Sequence, residues 1–319
     1  VSRVLVSGLV TVRSVIWSLN YHRGNRAKAT SRLQMIASLM TVLVSSSIGP
    51  FLDANPEEFI WVYAIGALVG LIGTVFFSRV KVVDEKKLLN DEVIAKSDKH
   101  KATGFVEIIR QDRFFRRYQY SMFTAGFGNM LIEAPLVFLV TRELQASYTM
   151  SIMITMVIPF AVSLVALPLW ALYLDRVHVA QFRARQSILW VLAQALTLVG
   201  ASLGSLAWLM IGRFIMGVAR GGGTLAWQLG HNDFAKPDQL SAYMGIHVTL
   251  TGVRGAIAPF LGMALYSGIP SLSWDGIGSN IFLVAAVVSG CAGIGFYRLF
   301  TTLRKANLTN IETRISDEP

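Results

Sequence analysis

The sequence predicts an all-α membrane protein of nine crossing helices, and three observations predict it. Its 319 residues are 53% hydrophobic and only 15% charged, with a mean hydropathy of +0.52, where a soluble domain usually carries about 25% charged residues. The apolar residues gather in blocks of roughly 20, the length of helix that crosses a hydrocarbon core. These blocks are apolar nearly all round, whereas a helix on the surface of a soluble protein shows a one-sided stripe.

Taken in order, the spans fall at 1–19, 33–51, 60–79, 118–139, 148–170, 186–202, 206–228, 241–267 and 280–297. The first is not a cleavable signal, because Arg3 and Arg13 lie inside it and no small-residue cleavage pattern follows. The second closes on Gly49-Pro50 and the third is followed by a long charged segment, 79–117. The fourth holds Asn129, Glu133 and Pro135; the seventh contains Arg220-Gly221-Gly222-Gly223; the last contains the single cysteine, Cys291, so no intrachain disulfide can form.

The basic residues test this assignment. Of 29 Lys and Arg, twenty-three fall in one alternating set of loops and the C-terminal tail. That set includes Arg176, Arg183 and Arg185, read as a loop between the fifth and sixth spans. The opposite loops hold only Arg142, with Asp53, Glu57, Glu58, Glu143 and Asp275. Basic loops are retained in the cytoplasm, so the C-terminus is expected inside and residue 1 outside. The formal net charge of +10 is then an anchor to the anionic inner leaflet. It needs no nucleic-acid partner, because hydrophobic spans separate the basic residues.

An internal repeat organises the spans. Arg3 and Trp17 correspond to Arg213 and Trp227; Ile48-Gly49-Pro50-Phe51-Leu52 matches Ile257-Ala258-Pro259-Phe260-Leu261; and Gly70, Gly73, Phe76 and Phe77 match Gly290, Gly293, Phe296 and Tyr297. Spans one to three thus pair with seven to nine in the same orientation, leaving four to six unpaired. A parallel duplication of that kind predicts a parent of twelve spans, six plus six, of which this sequence carries the last nine.

With these features the chain resembles the major facilitator superfamily (MFS), whose two six-helix halves are related by an axis along the membrane normal. Segment 79–117 is similar to that family's linker between halves, and Arg213-Phe214-Ile215-Met216-Gly217 resembles the opening of its tenth helix. Ala171-x-x-x-Asp175-Arg176 keeps the acid and base of a family loop motif but lacks its glycine and the following Gly-Arg pair. Gly49-Pro50 is similar to an antiporter motif whose closing glycines are here Leu52-Asp53. The resemblance implies an MFS-type helical bundle holding family helices four to twelve. Residues 1–79 would be the C-terminal half of the N-terminal bundle, 80–117 the cytoplasmic linker, 118–302 the C-terminal bundle and 303–319 a cytoplasmic tail. It also implies a solute carrier working by alternating access in a plasma or bacterial inner membrane.

Ionisable groups inside a bilayer are costly, which makes each a candidate for function. Glu133, one turn from Asn129, is the only acid deep within a span. It is expected either to bind substrate or carry a coupling proton, or to sit in a fixed ion pair with an arginine. Tyr243, His247, Thr251 and Arg254 recur at i, i+4, i+8 and i+11 and share one helix face; a polar stripe on an apolar span is expected to line a water-filled path, although His247 could equally be a packing histidine. Gly221, Gly222 and Gly223 beside Arg220 predict close helix packing first and a gating break second. Arg13 could face the same central space, and Trp17 and Trp227 are expected as interfacial anchors. Pro50, Pro259, Asp175 and Arg176 are the remaining gating or packing candidates. Arg13, Arg220 and Arg254 against one Glu133 leave the interior positive, which would suit an anionic or carboxylate-bearing substrate.

Other function classes fare worse. His231-Asn232-Asp233 is too sparse for a metal site and reads as a turn. No clustered nucleophile, base or metal set suggests an enzyme, and no cofactor is expected. The sequence has no G-x-x-x-x-G-K-[ST] phosphate loop, so an ion or substrate gradient would supply the energy. A proton suits Glu133 and His247 best. A non-transporting sensor or scaffold with the same fold is the alternative. In a Cys291→Ser background, Glu57→Cys and Lys86→Cys are expected to react with an impermeant maleimide from opposite sides of a sealed vesicle. Labelling of both from one side would overturn the span assignment.

Overall fold

The computed structural model describes residues 23–83, 104–235 and 239–309, together with Ile16, Asn20 and Tyr21. The predicted span 1–19, with Arg3, Arg13 and Trp17, lies outside the described residues, as do most of the linker and the end of the tail. Regular structure among the described residues is helical, apart from one isolated bridge between Ile269 and Trp274. In chain order the helices are α1 (Arg23–Ala54), α2 (Phe59–Phe77), α3 (Phe105–Gln111), α4 (Arg113–Leu131), α5 (Glu133–Phe138), α6 (Tyr148–Ile152), α7 (Ile158–Leu174), α8 (Val179–Ser202), α9 (Leu206–Leu229), α10 (Leu240–Ser267) and α11 (Asn280–Lys305). α5 continues α4 past a one-residue break, and α7 continues α6 through a π-helical turn, Met153–Val157.

The other eight predicted spans all fall on these helices. Among the described residues, six segments are long and apolar enough to cross a membrane: Lys28–Ala54, Pro56–Phe77, Arg113–Glu143, Tyr148–Leu174, Leu240–Ser267 and Asn280–Lys305. α8 and α9 are each 24 residues, about 36 Å at the usual rise, but they are more polar. The reason is burial: Arg183, Gln186 and Gln194 of α8, and Arg213 and Gln228 of α9, point into the protein. α8 packs chiefly on α9 and α11, so its polar atoms meet protein groups and not lipid.

Two prolines shape the interruptions. Pro135 has no N–H to give the Leu131 carbonyl, so α4 stops at Leu131 and the helix restarts at Glu133. α10 brings Gly262 against that Leu131 carbonyl. Pro159 likewise leaves the Thr155 carbonyl without its helical donor, beside the π turn. Arg213 fills this gap from α9, donating through Nε to the Ile154 carbonyl (3.1 Å) and through Nη2 to the Thr155 carbonyl (3.2 Å).

α1 lies along α6 and α7. At one end the Asp53 carboxylate accepts the Tyr148 N–H (2.6 Å) and the Thr149 N–H (3.0 Å), two of the free donors at the start of α6. Gly49 comes against Thr149 there. Further along, Met35 packs with Leu167, Ala171 and Leu225, and Gln228 Nε2 donates to Gln34 Oε1 (3.2 Å). No residue of α2 is buried.

The ends of the bundle differ in charge. Arg110, Arg113, Arg116, Arg117, Arg176, Arg185, Arg298, Arg304 and Lys305 gather at one, hereafter the basic end. α7 and α9 approach closely at Gly217, where an added Cβ would lie 2.8 Å from the Pro159 carbonyl and 2.8 Å from the Val162 Cβ. Gly217→Leu is therefore expected to destabilise by about 1–3 kcal/mol through overpacking. Gly66→Leu in α2, where nothing lies within 4 Å, should leave the thermal unfolding temperature in detergent unchanged or raise it. Equal behaviour of the two variants would refute this account of the α7–α9 contact.

Candidate functional site

The polar stripe of α10 occupies one face, and that face packs against α4. Tyr243 Oη donates to Asp112 Oδ2 (2.9 Å), and the other oxygen of Asp112 caps α4 by accepting the Phe114 and Phe115 N–H groups. One turn on, His247 Nδ1 pairs with Gln119 Oε1 (3.0 Å). Arg254 Nη1 donates to the Met122 carbonyl (2.6 Å), its guanidinium filling the space left by Gly126. Thr251 turns toward α9, accepting the Trp227 indole N–H (3.2 Å) while donating to the His247 carbonyl (2.9 Å). His247 is 2% exposed and Arg254 5%. Three polar atoms here have no hydrogen-bond partner among the described residues: Gln119 Nε2, His247 Nε2 and Arg254 Nε.

Two sequence expectations are corrected at this point. Arg183, counted as a loop cation, lies inside α8 and is 5% exposed. It donates through Nη1 to Gln186 Oε1 (2.6 Å), and its guanidinium lies 5.1 Å from the Phe296 ring centroid. The apolar block begins only at Gln186, so the preceding turn of helix read as flank. The missed signal was His178, whose Nδ1 accepts the Ala180 N–H (3.1 Å), assisted by Asp233 Oδ2 accepting the Val179 N–H (2.7 Å). Those caps start the helix at Val179. Trp227, expected as an interfacial anchor, instead turns inward to Thr251, with its ring 5.3 Å from that of His247.

Arg183, Arg254 and His247 are close enough to act on one another electrostatically, and Tyr118 joins them from α4. Tyr118 is buried and donates to the Ala226 carbonyl (3.3 Å). Burying a guanidinium without an acid is costly. Here the cost is met in part by carbonyls, amide oxygens and an aromatic face.

A second polar group lies where α4, α8 and α9 meet. Asn129 Oδ1 accepts from Gln194 Nε2 (2.9 Å) beside a cavity of about 10 Å³, lined also by Trp190 and Arg213. Glu133, just past the α4 break, is exposed. It acts electrostatically on Arg213 and Arg220, with no ion pair shorter than 4.0 Å among the described residues. Arg220 rests over the Phe160 ring, 4.0 Å from its centroid. It thus sits between α7 and α9, two of the helices that α1 touches.

α9 runs unbroken through Gly221, Gly222 and Gly223. Gly222 leaves room for Trp170, whose indole N–H donates to the Val218 carbonyl (2.7 Å), and Gln186 Nε2 reaches the Ala219 carbonyl (2.6 Å) beside it. Pro50 and Pro259 lie inside α1 and α10. His231-Asn232-Asp233 does form a turn, Gly230–Asp233. Arg13 lies outside the described residues.

A multi-pass bundle of apolar helices, with Arg183, Arg213, Arg254 and several amides turned inward, defines an integral membrane protein. The family model of the Major Facilitator Superfamily matches residues 1–192 and again 120–316, and the chain belongs to that family, one of transporters and not of enzymes. No curated protein matches the chain.

Asp175 and Arg176 follow the end of α7 at the basic end, both with exposed side chains. Crowding around its carboxyl still pushes Asp175 up to about 6, against the pull of Lys28 on α1. A raised carboxyl favours the neutral form in the folded state, so its stabilising effect is full below about pH 4 and is lost as pH rises through 6. Asp175→Asn is therefore expected to raise the unfolding temperature at pH 7.5 relative to the parent and to make little difference at pH 4. A larger gain at the acidic pH would contradict this.

Proposed function

We propose that this protein is a secondary transporter that moves a small anionic solute by alternating access, with a proton as coupling ion. Family membership supports the transporter class. The observation that carries the finer reading is the charge distribution around Glu133: one accessible carboxylate acting on Arg213 and Arg220, without a close ion pair to fix it. A carboxylate held in that way can exchange a proton for an arginine partner when the surroundings rearrange. The surplus of guanidinium groups favours a solute bearing carboxylate or phosphate.

In this reading α1 and α2 belong to one helical bundle, and residues 118–302 make up the other. The seam along α1, α6 and α7 is where the two rock. α8 and α9 cross the membrane as the polar inner helices of the second bundle. The basic end faces the cytoplasm, as the bias of Lys and Arg favours, in a plasma or bacterial inner membrane. Tyr243, His247 and Arg254 are held against α4 and Thr251 against α9 in this conformation, and the four become a solute path when α10 moves relative to these helices. Gly221, Gly222 and Gly223 keep α7, α8 and α9 close enough to move together.

The test is uptake into proteoliposomes made with the full chain, driven by an imposed pH gradient, across a panel of carboxylates, phosphates and cations. Gradient-driven uptake of an anion is expected, with Glu133→Gln and Arg254→Ala each reducing it by about tenfold to a hundredfold, the usual worth of a hydrogen bond to a charged group. Glu133→Gln should spare exchange of solute at equal pH on both sides, which needs no net proton movement. Undiminished gradient-driven uptake by Glu133→Gln would remove the proton role. Preference for cations would remove the anionic solute, and no flux of any solute would favour a sensor or scaffold.

A further inference from the structure

At the basic end, α4 and α11 frame a groove of about 500 Å³, lined by Arg117, Ser121, Gly295, Arg298, Thr301 and Thr302. Its floor is a close contact, Gly295 against the Ser121 hydroxyl. We propose that this groove binds the phosphate of an anionic phospholipid from the surrounding leaflet, held between the Arg117 and Arg298 guanidinium groups.

The donors point to an anion. Ser121 Oγ gives its proton to the Arg117 carbonyl, and Thr301 and Thr302 give theirs to the Arg298 carbonyl. The two guanidinium groups are therefore the groove's charged donors, beside the Tyr120 hydroxyl, each with N–H groups suited to a phosphate. Neighbouring cations are already engaged: Arg116 donates to the Ile109 and Arg110 carbonyls, and Arg113 lies over the Phe114 ring. The Arg117 and Arg298 guanidinium groups have no such partner among the described residues.

The surroundings point to a lipid and not to a soluble anion. Val287, Cys291, Ile294 and Arg298 recur at i, i+4, i+7 and i+11, and all are exposed, so an apolar stripe on α11 leads directly to the arginine. Acyl chains laid along that stripe bring a headgroup to Arg298. Arg117 lies four residues, about 6 Å, along α4 from its start, directly before the apolar block that the sequence places at 118–139. Tyr120, 67% exposed beside the groove, has the amphipathic character of an interfacial aromatic. The main contacts of α1 are with α6, α7 and α9, so it leaves this side of the bundle open.

The inference is independent of which solute is carried. The full chain is placed in phosphatidylcholine nanodiscs to which phosphatidylglycerol is added stepwise, with retained lipid counted by native mass spectrometry and the unfolding temperature followed. Phosphatidylglycerol should be retained about twenty-fivefold more strongly than phosphatidylcholine, two basic contacts each contributing about fivefold. Arg117→Gln with Arg298→Gln should abolish the preference and the accompanying rise in unfolding temperature. Arg304→Gln, an exposed arginine beyond the groove, should keep both. Equal retention of the two lipids would overturn the proposal. So would an equal loss in Arg304→Gln, which would mean diffuse surface attraction. Stabilisation by glycerol phosphate equal to that by phosphatidylglycerol would instead identify a soluble-anion site, and the lipid assignment would fail.

Discussion

A bilayer offers the backbone no hydrogen-bond partners, so each N–H and C=O at membrane depth has to be met by the chain itself. Helices achieve this everywhere except at their interruptions, and in this protein the interruptions organise the packing. Pro159 frees the Thr155 carbonyl, and Arg213 crosses from α9 to take it together with the Ile154 carbonyl. Pro135 frees the Leu131 carbonyl, and α10 presents Gly262 to it, a residue small enough for the two backbones to come close. Both breaks are therefore points where one helix is held in register with another.

The same constraint explains why the more polar helices are the inner ones. A guanidinium or carboxamide facing lipid would be expensive, so α8 and α9 turn theirs onto protein partners: Gln186 of α8 onto α9, Gln194 onto α4, Arg183 onto α11, Arg213 and Arg220 of α9 onto the π turn and α7, and Gln228 onto α1. Gln186 reaches the Ala219 carbonyl only because Gly222 and Gly223 leave space, and Trp170 uses the same gap to reach the Val218 carbonyl. Small residues and buried amides are thus one device. Arg183 and Arg254 bring charge into this interior without an acid beside them, and several of their neighbours' polar atoms stay unpaired.

α1 is joined differently. Its contacts with α6, α7 and α9 are local and mixed: a carboxylate on two helix N–H groups, a small apolar cluster around Met35, and a single pair of carboxamides. Such contacts can separate without exposing a large apolar core to water. The α4–α11 bundle by contrast holds two larger apolar clusters, one of them aromatic-rich with Phe115, Tyr118, Phe182 and Phe296.

Composition and block length by themselves determined that this is a helical membrane protein, and where its six described segments apolar enough to cross a membrane lie, because apolar length is a property of the chain read along itself. The turn at His231-Asn232-Asp233 and the shared face of Tyr243, His247, Thr251 and Arg254 were likewise legible, since helical spacing fixes which residues lie together. Periodicity cannot say what a face meets. Only the tertiary structure decided that the α10 stripe lies against Asp112, Gln119 and Met122, that Trp227 turns inward, and that Arg183 is a buried helical residue. A polar group at the edge of an apolar block can be solvated flank or bundle interior, and the difference is set by neighbouring helices far away in sequence, whose carbonyls and rings make its burial tolerable.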